Sequence, residues 1–285
     1  MTRYLVPAVA VAVLASPAFA LKVAAPLSPV QRTFQADAVI VGKVTALEDD
    51  IVEVAMEKGS EQKQSFKIAV VKVESSLVGA AGLTHVKIGF TPPPSGGKIA
   101  PPGIRRGPGF ALAEGQEGCF FLHKHPTAAF YVVSAMAPPL DAKADNYKAQ
   151  LGIVKKAIAV VADPVKSLKA DKADDRFFAA AALISKYRTF PMSGAEVEQV
   201  AISAEESKLI LVDLVERDWT KFEEGLPQPV QLMYQLGMNA NDGWKQPQFN
   251  GAGDFNAFMK AEFKKWLEGP GEKFAIKKVV PKEKK

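Results

Sequence analysis

The chain has 285 residues, room for about two domains. Its 48% hydrophobic and 24% charged content is that of an ordinary globular protein, which excludes wholesale disorder and a polytopic membrane protein. The net charge of +5 gathers at the end, where Lys273, Lys277, Lys278, Lys282, Lys284 and Lys285 follow one another with Glu283 as the only acid among them, so the basic balance is a tail and not a face. Such a tail reads first as a solvated terminus. Weak contact with an anionic surface through Lys277, Lys278, Lys282, Lys284 and Lys285 is the alternative, and nothing in it points to specific nucleic-acid recognition.

Arg3, an apolar run from Tyr4 to Ala15, then Ser16, Pro17 and the tripeptide Ala18, Phe19, Ala20 carry the pattern of a secretory signal cleaved after Ala20. A membrane anchor needs about 20 apolar residues, and this run holds Pro7 and stops before Lys22. The expected location is therefore the periplasm, cell envelope or extracellular space, with no transmembrane segment after cleavage. Cys119 is the only cysteine, so no intramolecular disulfide can form and stability must come from apolar burial. Cys119 itself reads as a small buried hydrophobe in a strand.

Leu21–Arg32, with Pro26 and Pro29, is expected to be an extended lead-in. Ala36–Leu47 (ADAVIVGKVTAL) supplies β-branched residues for a first strand, with Gly42 where a bend or bulge belongs. Ile51–Met56 continues it or starts a second strand. Phe66–Glu74 alternates with a break of parity at Val73, which predicts a bulge near Val70 and Val71. Thr84–Phe90 is a further strand. Thr91–Gly109 is so rich in proline and glycine that neither sheet nor helix can use it, and a long surface loop follows. Cys119–His123 and Phe130–Met136 read as the two strands of a last hairpin. Five such strands with a glycine and bulge signals predict a small antiparallel barrel.

From Asp145 the apolar period changes from about two to about 3.6. Tyr147, Leu151, Val154, Ile158 and Val161 form one helical stripe. Asp163 and Pro164 open a short helix. Phe177, Ala181, Ile184 and Tyr187 mark the next. Ser203 with Glu206 is a capping box before Ile210, Leu211, Leu214 and Val215. Pro229 begins a short helix closed by Gly237, Asn239–Trp244 is a turn, and Asp254 caps a helix carrying Phe258, Phe263 and Trp266. Phe274–Val280 is extended and could dock as a closing strand. The predicted organisation is a signal at 1–20, a barrel domain at 21–143 and a helical domain at 144–285.

Chemistry is sparse. No P-loop, dinucleotide fingerprint, nucleophile elbow or His-Glu-x-x-His stands in the sequence, and no cofactor is implied. His123 and His125 share one face of a strand and could hold zinc or copper with a ligand from elsewhere. Cys119 is two pleats away, about 13 Å, too far for the same ion. Asp174 with Asp175, Glu205 with Glu206 and Glu223 with Glu224 are adjacent acids. The first two pairs fall at helix starts, where acids favour the dipole. Trp219, Trp244 and Trp266 read as core residues, with sugar or peptide stacking as the alternative. The loop offers Lys98, Arg105 and Arg106 as candidate ligand contacts.

ADAVIVGKV, FKIAVVKVE, EGQEGCFFL and FYVV together resemble the OB-fold domain shared by netrin modules and tissue inhibitors of metalloproteinases, over about Phe34 to Met136. In those inhibitors an N-terminal cysteine chelates the protease zinc and disulfides brace the barrel. Here Leu21 would be the mature N-terminus and Cys119 stands alone, so the resemblance implies the fold and not the inhibition. The second half, through DPVKSLKADKADDRFFAAAALISKYRT, AEESKLILVDLVERDW, YQLGMNANDGW and KKWLEG, resembles a family of uncharacterised exported proteins typical of planctomycetes, which implies export and one joint architecture but no activity.

The reading is an exported α+β protein, an OB-like barrel followed by a helical domain, acting as a non-enzymatic binding module for a protein or polysaccharide of the envelope. The alternatives are a hydrolase of a wall or polymer substrate using carboxylates and tryptophans, and a metal-handling protein using His123 and His125.

Overall fold

The computed structural model describes residues 27–55, 57–91, 111–134, 137–190 and 196–282. The expected signal at 1–20, residues 92–110 of the expected proline-glycine loop with Lys98, Arg105 and Arg106, residues 191–195 at the expected break after Phe190, and Lys284 and Lys285 lie outside the described residues.

The fold is mixed α/β. Its order is α1 (Pro29–Gln35), β1 (Ala38–Ala55), β2 (Lys63–Val78), β3 (His85–Phe90), β4 (Glu117–Lys124), β5 (Tyr131–Val132), β6 (Leu140–Asp141), α2 (Tyr147–Ala162), α3 (Pro164–Leu168), α4 (Ala173–Tyr187), β7 (Val197–Ala201), α5 (Ala204–Glu216), α6 (Pro229–Gln235), a 3-10 turn (Ala240–Asp242), α7 (Phe255–Leu267) and β8 (Lys277–Pro281). The first six strands make one sheet in the order β1-β2-β3-β5-β4-β6, with β1 also hydrogen-bonded to β4. This corrects the expected five antiparallel strands. The sheet has six, and β3 pairs β5 in parallel. Leu140 and Asp141, which follow Pro138 and Pro139, add the sixth strand on β4.

β1 is a single 18-residue strand, so Ile51–Ala55 continues it. Its register against β2 shifts at Val41/Gly42 and again at Val44/Ala46, where Thr45 is the extra residue opposite Val71 and Val70. Gly42 is needed because the carbonyl oxygen of Lys72 would lie 2.4 Å from a Cβ placed there. The predicted irregularity near Val70 and Val71 is therefore carried by β1 and not by β2.

One face of the sheet gathers Ile40, Val44, Ala69, Val71, Ile88, Phe90, Phe120 and Leu122 into a closed apolar cluster. On the opposite face Val39, Cys119, Phe121 and Leu140 pack against Val154 of α2, flanked by Leu151 and Ile158. The apolar run Cys119–Leu122 thus reads without alternation because both faces of β4 are covered.

The helices pack around α4, whose residues from Phe177 to Ser185 are all buried. Its four consecutive alanines let neighbouring helices approach closely, and it contacts α1, α2, α3, α5 and α6. Trp219, Trp244 and Trp266 all belong to this core. Asp163 caps α3 and Asp254 caps α7 as expected. Ser203 caps α5 through the Glu206 amide, but the Glu206 carboxylate accepts from the Tyr187 hydroxyl rather than completing the box.

Three further differences from the sequence reading stand out. The lead-in contains α1, set by a Ser28–Gln31 capping box, and its Val30 joins the helical core. The expected closing strand over Phe274–Val280 is β8, and the partner it docks on is β7, for which the sequence carries no assigned element. Of the expected strand Phe130–Met136, Tyr131 and Val132 form β5, the Phe130 carbonyl accepts from the His125 amide and the Val133 amide donates to the Gly89 carbonyl, and 135–136 lie outside the described residues.

Two glycine substitutions should move stability in opposite directions in urea denaturation. Gly42→Ala should cost about 1–3 kcal/mol through overpacking. Gly152→Ala, in α2 with nothing within 4 Å of its added methyl, should gain up to about 1 kcal/mol from helix propensity.

Candidate functional site

β4 delivers His123 and His125 to the end of the sheet. His123 stands opposite Val132, in the row that continues through Gly89 to Ile68. By strand alternation this row faces away from the Ala69, Ile88 and Tyr131 row, so Phe66, Ile68 and His123 share the outer face. Gly89 leaves room there. A Cβ on it would lie 2.5 Å from the Phe130 ring and 3.2 Å from that of Phe66.

His125 sits against both rings, with centroids 5.5 Å from Phe66 and 4.9 Å from Phe130. Its Nδ1 accepts from the Thr127 backbone N–H at 3.2 Å. A neutral imidazole that accepts at Nδ1 carries its proton on Nε2, and that Nε2 is buried without a partner. His123 Nδ1 is likewise buried and unpartnered. The Thr127 hydroxyl donates to the Ala55 carbonyl at 2.6 Å, tying the β4–β5 loop to the far end of the β1–β2 hairpin. Gln64 donates to Thr91 at 2.8 Å on the same side.

His123 is 9% and His125 5% exposed. Burial pushes both imidazoles below their ordinary value of 6.5, with Asp37 partly opposing the shift at His123. Both are therefore neutral at pH 7. Among the described residues no group of three or more His, Cys, Asp or Glu side chains is placed to hold a metal ion, so the two histidines have no third ligand of those types there. Cys119 lies on the α2 side of the sheet, and burial pushes its thiol up to about 12. It is a packing residue.

The adjacent acids separate as their positions on helices require. Asp174 bonds Arg217 at 2.6 Å and Asp175 bonds Lys156 at 2.5 Å, both from the first turn of α4. Glu205 pairs with Lys169 at 2.5 Å, and Glu223 pairs with Arg217. An acid that the sequence reading missed is Asp213, buried in α5 and hydrogen-bonded to Arg176 Nε at 3.1 Å. Burial raises its pKa and Arg176 offsets part of the rise. Its place between Leu211 and Leu214 in the apolar stripe is the available sequence signal. The cavity it shares with Glu216, Asp218, Arg176 and Arg217 is about 200 Å³. Of the tail lysines, Lys277 and Lys278 lie on β8, and Lys282 pairs with Glu196 at 3.2 Å.

No protein-family model matches the chain, and no curated protein matches it.

A base whose folded pKa is depressed supplies stability that is complete above its unfolded value and is lost as pH falls through the folded value. The unfolding free energy should therefore fall as pH drops below about 6.5. The His123→Leu/His125→Leu double variant should show a visibly shallower loss over the same range in urea melts.

Proposed function

We propose that the chain is an exported binding protein of the cell envelope, with an OB-like barrel presenting its ligand site at the His125 end of the sheet. The barrel reading is supported by the pairings, which run β1-β2, β2-β3, β3-β5, β5-β4 and back from β4 to β1. OB barrels bind through a strand face and the loops after the first and fourth strands. In this chain those two connections are tied together by the Thr127–Ala55 hydrogen bond.

The observation that carries the reading is the His125 Nε2–H, a buried donor without an acceptor between two aromatic rings. A buried donor left unsatisfied costs about 1–3 kcal/mol. An acceptor oxygen on a ligand, a peptide carbonyl or a sugar hydroxyl, would remove that cost while the rings supply apolar contact. The hydrolase reading needs a pocket with free paired carboxylates. In the cavity of about 760 Å³ lined by Asp163, Asp171 and Asp175, Asp163 caps α3 and Asp175 pairs with Lys156. The buried Asp213, which the sequence reading did not include, faces a cavity of about 200 Å³, below the roughly 300 Å³ at which ligand pockets begin, and its carboxylate is held by Arg176. That arrangement favours an ion network that joins α4 to α5.

Two outcomes follow. Amino-terminal sequencing of the protein recovered from its native envelope should begin at Leu21, and an intact Met1 would remove export from the reading. Affinity capture from envelope extract with the mature chain should retain a partner that His125→Leu loses, with the thermal midpoint of the variant held or raised. A folded His125→Leu variant that retains every captured partner would refute the site.

A further inference from the structure

Among the described residues the other two buried side-chain atoms without a partner, Ser185 Oγ and Gln235 Oε1, belong to residues that line one cavity of about 300 Å³. It opens where α1, the C-terminal end of α4 and α6 meet. Gln31 and Gln35 line it from α1, Arg188 and Thr189 from the end of α4. Ser185 is only 4% exposed, so its hydroxyl is buried, yet it finds neither donor nor acceptor. Phe190, 53% exposed, stands at the rim.

Among the described residues the lining is amide, hydroxyl, guanidinium and the Phe190 ring, with no carboxylate. Gln31 Oε1 is used by the Ser28 amide at 3.0 Å, which leaves its NH2 group as a free donor. Gln35 makes no side-chain hydrogen bond among the described residues. Arg188 binds only neutral acceptors: Gln235 O at 2.8 Å, Gln199 Oε1 at 2.9 Å and Lys277 O at 3.0 Å. Its half-buried charge has no acidic partner among the described residues, and a cation in that setting is costly unless something anionic meets it.

We propose that this cavity binds one acidic sugar unit, a hexuronate residue of an envelope or environmental polysaccharide. The volume is at the small end of ligand pockets and suits one six-membered ring. Sugar hydroxyls both donate and accept, which matches Ser185 Oγ, Gln235 Oε1 and the free amides of Gln31 and Gln35. The Phe190 ring offers an apolar platform for the C–H face of the ring, and Arg188 meets the carboxylate. The site does not depend on the barrel reading, since none of its residues belongs to the large sheet.

Calorimetric titration of the mature chain with trigalacturonate, and with its methyl ester as the uncharged arm, tests this. The acid should bind saturably and the ester at least about tenfold more weakly, as expected for a hydrogen bond to a charged group worth about 1.5–3 kcal/mol. Ser185→Ala and Gln35→Ala should each weaken acid binding about three- to tenfold with thermal midpoints held or, for Ser185→Ala, raised, because neither side chain bonds within the fold and the Ser185 hydroxyl is buried without a partner. His125→Leu should bind trigalacturonate normally. No saturation by about 10 mM, equal affinity for the ester, or binding indifferent to both Ser185→Ala and Gln35→Ala would each overturn the proposal.

Discussion

The structure depends on β4 being covered from both sides. Phe120 and Leu122 enter the apolar cluster of the sheet, while Cys119 and Phe121 turn the other way and meet α2. A strand apolar on both faces cannot be left against water, so the helical layer must lie on it. α2 serves both neighbours at once, since Val154 packs on the sheet and Ala157 and Val160 pack into the helical core. Arg32 adds a second link from α1, donating to the Pro138 carbonyl at 3.0 Å with its guanidinium 5.7 Å from the centre of the Phe121 ring. These contacts link the sheet to the helical layer.

Within the helical layer α4 plays the corresponding part. Alanines at 179–182 present almost no side chain, so its neighbours pack close to its backbone, and the larger aromatic volume is supplied from outside by Trp219, Trp244, Phe263 and Trp266. Lys156 with Asp175 and Arg217 with Asp174 bind the start of α4 to α2 and to the end of α5. Exposed pairs of this kind contribute little each. Arg176 with Asp213 is different because the acid is buried, and removing either partner would strand a charge.

The two candidate sites share one physical feature. Natural folds leave few buried polar atoms without a partner, and among the described residues the four orphans fall in two places, on the two imidazoles at the sheet end, where His125 meets Phe66 and Phe130, and on a hydroxyl–amide pair beside Arg188. The first place is built by the sheet and its loops. The second is built by helices that meet from three distant parts of the chain. Each combines an aromatic ring with unused hydrogen-bonding capacity, the combination that binding sites for polar organic ligands require.

By itself the sequence determined the elements whose signals are local. The change of period at Asp145, the caps at Asp163, Ser203 and Asp254 and the apolar helical settings of the three tryptophans follow from residues near one another in the chain. Tertiary structure alone decided what depends on distant partners. α1 is short and marginal until Val30 finds the helical core. β7 is a strand only because β8 pairs with it, and β5 is parallel to β3 because the chain returns between β3 and β4. The orphan atoms are the extreme case. Ser185 and His125 are ordinary residues in sequence, and whether a polar atom has a partner is settled only when segments far apart in the chain have closed around it.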